Sequence, residues 1–141
     1  MILATFFSAL LMNASATYSA EATNLSVLFG NTYYGKMPLS RCQVGVEKSG
    51  KDVIFTYQEG RFFTKETIYV AKNAASVFEK TAPPVDFDSD IELEFKEAQT
   101  NQTIYVKPSF TLINHTRTET IDAFQVLDKN GEIEVFCEYM H

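Results

Sequence analysis

The sequence predicts one small all-β domain: an antiparallel up-and-down meander closing into a barrel or curled sheet, with a Greek-key sandwich as the runner-up. Three observations carry this. Apolar and polar residues alternate with period two in at least five segments, the signature of half-buried strands. The segments follow one another through short turn-like connections, which favours a meander over a crossed topology. No long amphipathic helix and no strand–helix–strand rhythm interrupts them.

The clearest element is Ile121–Met140. Two alternating runs flank Asp128-Lys129-Asn130-Gly131. Asn-Gly suits a two-residue type I′ turn, because both central residues then need positive φ. That loop would set Lys129 opposite Glu132, Val126 opposite Val135 and Phe124 opposite Cys137 on one apolar face.

Earlier in the chain, Asn24–Phe29 is a short apolar segment, and Gly30–Gly35 reads as a turn or irregular strand around Tyr33 and Tyr34. Cys42, Val44 and Val46 alternate with polar neighbours, and so do Val53, Phe55 and Tyr57 after a turn at Ser49–Asp52. Arg61–Val70 reads as a long strand with Phe62 and Phe63 on opposite faces. Asn73 can cap a short helix through Lys80, or the stretch can be a turn and a short strand. Pro83-Pro84 breaks the chain. Ile91, Leu93 and Phe95 alternate cleanly. Thr103–Lys107 and Phe110–Asn114 form two strand pieces separated by Pro108, which marks an edge, a bulge or a bend because proline cannot donate to a ladder.

Residues 1–20 carry no charge. An apolar run, Ile2–Met12, is followed by small residues, which predicts a signal peptide cleaved after Ala16 or Ala20. The start lacks the usual Lys or Arg; a buried N-terminal element is the alternative. The remainder, 21–141, is long enough for one core. The chain is then secreted or periplasmic. Cys42 and Cys137 are the only cysteines, and in an exported chain they predict one disulfide.

The formal charge is −6. That balance speaks against nucleic acid and anionic membrane as partners, both of which need a basic footprint, and no segment offers a stable membrane anchor. The charge is uneven: residues 21–85 hold six acids and eight bases, and residues 86–97 hold six acids and one base. In the acidic stretch Asp86, Asp88 and Asp90, with Glu97, stand at calcium-loop spacing. The glycine expected at the sixth position is Ile91, so a solvated turn is the better reading and no metal site is expected.

No histidine–cysteine zinc set, phosphate-binding glycine loop or triad-like grouping stands out around His115 or His141. No cofactor is expected. Asn24, Asn101 and Asn114 begin Asn-x-Ser/Thr triplets in turns or at strand ends, where a glycan fits in a eukaryotic host. The leading functional expectation is an exported, non-enzymatic binding protein. It engages a small apolar ligand or a protein partner through the barrel mouth, with Tyr33, Tyr34, Phe62 and Phe63 as contact residues. An exported hydrolase using paired carboxylates is one alternative. A structural or inhibitory module acting through its surface, without a pocket, is the other.

Overall fold

Alternation in the sequence becomes strand, and its apolar half becomes core. Cys42, Val44 and Val46 on one strand and Val53, Phe55 and Tyr57 on the next are all buried, as period-two side-chain geometry requires. A computed structural model of the chain describes residues 22–138; the expected signal peptide at 1–20 lies outside the described residues. A 3₁₀ turn, Leu25–Leu28, precedes β1 (Asn31–Met37), β2 (Ser40–Ser49), β3 (Asp52–Glu59) and β4 (Lys65–Ala71). One helix, α1 (Ala74–Lys80), comes next. After it come β5 (Leu93–Lys96), β6 (Thr103–Ile113), β7 (Thr116–Leu127) and β8 (Ile133–Glu138).

The eight strands form one antiparallel sheet in the order β4-β3-β2-β1-β8-β7-β6-β5. Except at the β4–β5 step each strand pairs with its sequence neighbours, and β1 pairs with β8. This is the cyclic order of an up-and-down meander, left open between β4 and β5; the Greek-key alternative does not form. Phe124 on β7 touches Phe55 and Tyr57 on β3 and Tyr69 on β4, with ring centroids 5.2, 6.2 and 6.1 Å apart. In a flat sheet β3 and β7 would stand about 19 Å apart, four strand spacings. The sheet therefore bends round until its two four-strand halves share a core. Phe78 of α1 fills the open side, in ring contact with Phe29, Phe55 and Phe95. Leu25 and Leu28 of the 3₁₀ turn are fully buried in the same cluster.

The corner at β1 and the gap between β4 and β5 are held differently. At the first, Cys42 and Cys137 are disulfide-bonded with Cα atoms 6.0 Å apart, although β2 and β8 lie on opposite sides of β1. A flat sheet would separate them by roughly 9.5 Å, so the sheet turns a corner at β1. Gly35 is the corner residue and pairs with Cys42. A Cβ on it would stand 2.2 Å from the Glu138 carbonyl oxygen and 2.9 Å from Cys137 Sγ. The bridge and the end of β8 cross where a side chain would otherwise project.

At the second join, β4 and β5 meet through a single bridge, Ala71 with Glu97. Two backbone hydrogen bonds flank it: Lys72 N–H to Lys96 O and Ala98 N–H to Val70 O, both 2.9 Å. The Glu97 side chain completes the join. Its carboxylate accepts from the backbone of Val70 at 2.9 Å and of Gln99 and Thr100 at 2.8 Å each. Burial pushes its pKa up, but these bonds outweigh burial and hold the carboxyl below its usual range.

Several local expectations are revised. The β7–β8 loop is not a two-residue type I′ turn. Asp128 N–H bonds to Glu132 O, the register slips between Val126 and Leu127, and of the Asn130-Gly131 pair only Gly131 has positive φ. Asp128 Oδ1 accepts from Asn130 N–H and Glu132 N–H, which favours a three-residue loop with a glycine bulge. Lys129 therefore does not face Glu132, while Val126–Val135 and Phe124–Cys137 pair as expected. The two consecutive positive-φ residues of a type I′ turn are Asn114 and His115, between β6 and β7. Asn73 precedes α1 in a left-handed conformation without a side-chain capping bond. Pro108 marks a register shift inside one continuous β6 rather than a gap between two pieces. Asn24–Phe29 forms the 3₁₀ turn, capped by Asn24 Oδ1 accepting from Ser26 N–H.

Candidate functional site

Most of the exposed large apolar side chains among the described residues gather in two places. The first is an open cleft of about 830 Å³ between the 3₁₀ turn, the start of β1, the β6–β7 hairpin and the loop after Pro84. Val27, Val85 and Leu112 stand on its lining, 46%, 81% and 54% exposed. Phe110 is in the floor, and the exposed Phe87 stacks on it at 4.4 Å. Arg117 organises the cleft. Its guanidinium lies 4.0 Å above the Phe110 ring, donates through Nε to Glu119 at 2.6 Å, and donates through Nη2 to the Pro84 carbonyl. The planar fork thus ties the loop to the hairpin while its charge is met by a buried carboxylate. Burial raises the Tyr33 pKa to about 12; a hydrogen bond with Asn31 lowers it, and the nearby Glu119 charge raises it.

The second place is the pair of loop tips formed by Pro38-Leu39 and Gly60–Thr64. Leu39, Phe62 and Tyr34 are 99%, 76% and 62% exposed. Tyr34 meets Phe63 edge-on at 6.4 Å. Arg41 lies 5.4 Å over Phe63 and Arg61 5.5 Å over Phe62. Arg41 Nη2 also donates to Arg61 O at 2.7 Å, and Gly60 N–H donates to Arg41 O at 3.1 Å, so the two loops are tied to each other.

The four aromatics expected to act together are split. Tyr34, Phe62 and Phe63 gather at the loop tips, whereas Tyr33 lines the cleft. Of the turn or irregular strand expected over Gly30–Gly35, the strand forms: Tyr33 and Tyr34 lie in β1, where neighbouring residues point to opposite faces. Phe62 and Phe63 are not on a strand: β4 begins at Lys65, and Phe63 adopts φ 53° in the loop. Arg117, Glu119, Phe110 and Val85 were not singled out from the sequence. A large apolar residue in a loop next to Pro83-Pro84 was the available signal for Val85; the Arg117–Glu119 pairing depends on tertiary contacts and had none.

Other groups are engaged locally. Tyr57 donates to Glu59 at 2.6 Å, and Lys65 Nζ lies 2.9 Å from the same carboxylate. The Tyr57 bond, then Lys65, lower the Glu59 pKa. Burial first, then Glu59, raise that of Tyr57. Glu59 and Glu97 are thus both held in their ionised form, the opposite of a general acid. In the acidic loop, Asp86 Oδ1 accepts from Asp88 N–H and Ser89 Oγ at 3.0 Å each. Asp90 lies 3.4 Å from Lys107 Nζ. Glu97 is spent on the seam, so the four acids at calcium-loop spacing do not converge. Asn101 and Asn114 are exposed at turns, and Asn24 is half-buried as the 3₁₀ cap. No family model, curated protein or solved structure matches the chain.

Proposed function

We propose that this chain is an exported, non-enzymatic binding protein whose ligand site is the Arg117 cleft, and that the ligand is a polypeptide segment presenting apolar side chains. One observation carries the reading: Val27, Val85, Phe87 and Leu112 remain exposed together around a preformed cleft. Such clusters on soluble domains mark interaction sites. The filled aromatic interior favours this surface cleft over a ligand enclosed within the sheet. The cleft is open along one side, which suits a segment of chain better than an engulfed small molecule. The disulfide is consistent with an oxidising compartment, which supports export.

The hydrophobic fluorophore anilinonaphthalene sulfonate tests the site. The folded protein should bind it saturably, and Leu112→Asp should weaken binding about tenfold, the scale of losing one buried leucine contact. Leu39→Asp, at the other cluster, should leave it unchanged. Equal binding by wild type and Leu112→Asp, with both folded by circular dichroism, would overturn the assignment.

A further inference from the structure

The loop-tip cluster is convex, and its chemistry differs from that of the cleft. Leu39 is almost wholly exposed at the tip of a tight β1–β2 turn. Pro38 fixes the backbone there, so the leucine is held outward with little conformational freedom to lose. Phe62 projects from the neighbouring loop. Around these tips stand Lys36, Arg41, Arg61 and Lys65.

The cations are arranged against intramolecular convenience. Lys36 and Arg41 are direct cross-strand partners, a like-charge placement that costs stability. Each arginine lies over an aromatic ring and neither forms an ion pair among the described residues. Glu59, at the end of β3, is taken up by Tyr57 and Lys65. Glu138 pairs with Lys36 across the β1–β8 contact and Glu66 stands beside Lys65 on β4, so the cations left without a carboxylate partner at this end, among the described residues, are the two arginines at the tips. Overall charge argues against an anionic surface, but attraction to one acts within about 8–10 Å, so the local arrangement governs.

The geometry points to peripheral docking on an anionic lipid surface, with Leu39 and Phe62 entering the interfacial region and Arg41 and Arg61 meeting phosphate groups. Protruding apolar tips ringed by cations fit a deformable interface. A protein partner would need a pocket for each tip, and a carboxylate for each guanidinium. The seven residues of β1 put these tips about 20 Å from the start of the strand at the cleft, so both sites can be occupied together. This inference does not depend on the function proposed for the cleft.

Co-sedimentation with vesicles tests it, using phosphatidylcholine alone and phosphatidylcholine with about one-third phosphatidylglycerol, which gives the surface a negative potential. Binding is expected only with the anionic lipid and should fall as salt rises. Leu39→Ser and Phe62→Ser should each weaken it about tenfold. Arg41→Gln and Arg61→Gln should each weaken it about fivefold. Leu112→Asp should have no effect. Failure to sediment with anionic vesicles would overturn the proposal, as would sedimentation insensitive to Leu39→Ser and Phe62→Ser. Binding of soluble polyglutamate, lost in those variants while vesicles are ignored, would assign the surface to an acidic polypeptide instead. Retained thermal melting of each variant separates loss of docking from loss of fold.

Discussion

The sheet is held at two places, by opposite means. At β1–β8 the strands are crowded: a covalent bond crosses a glycine and the backbone of β8 presses against it. At β4–β5 they are barely in touch, and a carboxylate stands where ladder hydrogen bonds would be. The first join closes a loop between residues 95 apart in sequence, so it acts largely by limiting the unfolded chain. The second acts in the folded state, by accepting from backbone donors at a half-buried join through the buried Glu97 carboxylate.

That contrast sets the order of expected effects. Replacing both Cys42 and Cys137 by Ala should cost about 2–5 kcal/mol in urea unfolding, the range for a native disulfide in a small domain. A loss below about 1 kcal/mol would mean that the corner at β1 holds without its covalent bond. Gly35→Ala should cost about 1–3 kcal/mol through overpacking. The same change in the cysteine-free background should cost less, because β8 can then withdraw; additive costs would show that the bridge does not press on Gly35.

Glu97→Gln should cost about 1–2 kcal/mol, because the amide presents a donor toward backbone N–H groups where the carboxylate accepted. Its signature is local: amide exchange at Val70, Gln99 and Thr100 should accelerate while β7–β8 amides stay protected. The pH dependence has a definite sign. A folded-state pKa below the reference value of 4.5 means stability that is present above that pH and lost as pH falls through the folded value. Between about pH 5 and pH 3, wild type should therefore lose more stability than Glu97→Gln. Parallel acid profiles would remove Glu97 from the seam's account.

The fold class was legible because burial on one face leaves a period-two mark, and six of the eight strands carry it. The disulfide was legible because two cysteines admit one pairing. Turn geometry was less so. Asn130-Gly131 carries the residues of a type I′ turn, yet Asp128 captures the loop with its own carboxylate, and Asn114-His115 takes the type I′ conformation without any glycine. The seam was invisible, since nothing about Glu97 in sequence separates it from the neighbouring acids. The apolar tips were half visible: Phe62 stands out as a contact residue, though on a strand by its pattern, whereas nothing local marks Leu39. The cleft arises where Arg117 meets Pro84, a tertiary contact between distant segments, and no local pattern encodes that.

The open seam falls at the connection that divides the chain into two complete four-strand meanders. One runs through β4 and α1, the other from β5 to β8. The exposed stretch around Val85–Asp88 lies between them, while the disulfide links β2 of one meander to β8 of the other. A protease cut in that stretch would leave a two-chain molecule, each chain a local series of hairpins, clasped by the Cys42–Cys137 bond. In an oxidising compartment the bond would keep the two chains of the nicked molecule together. Under reduction the halves would be free to part, so the same bond that shapes the corner at β1 also decides whether the molecule survives being cut.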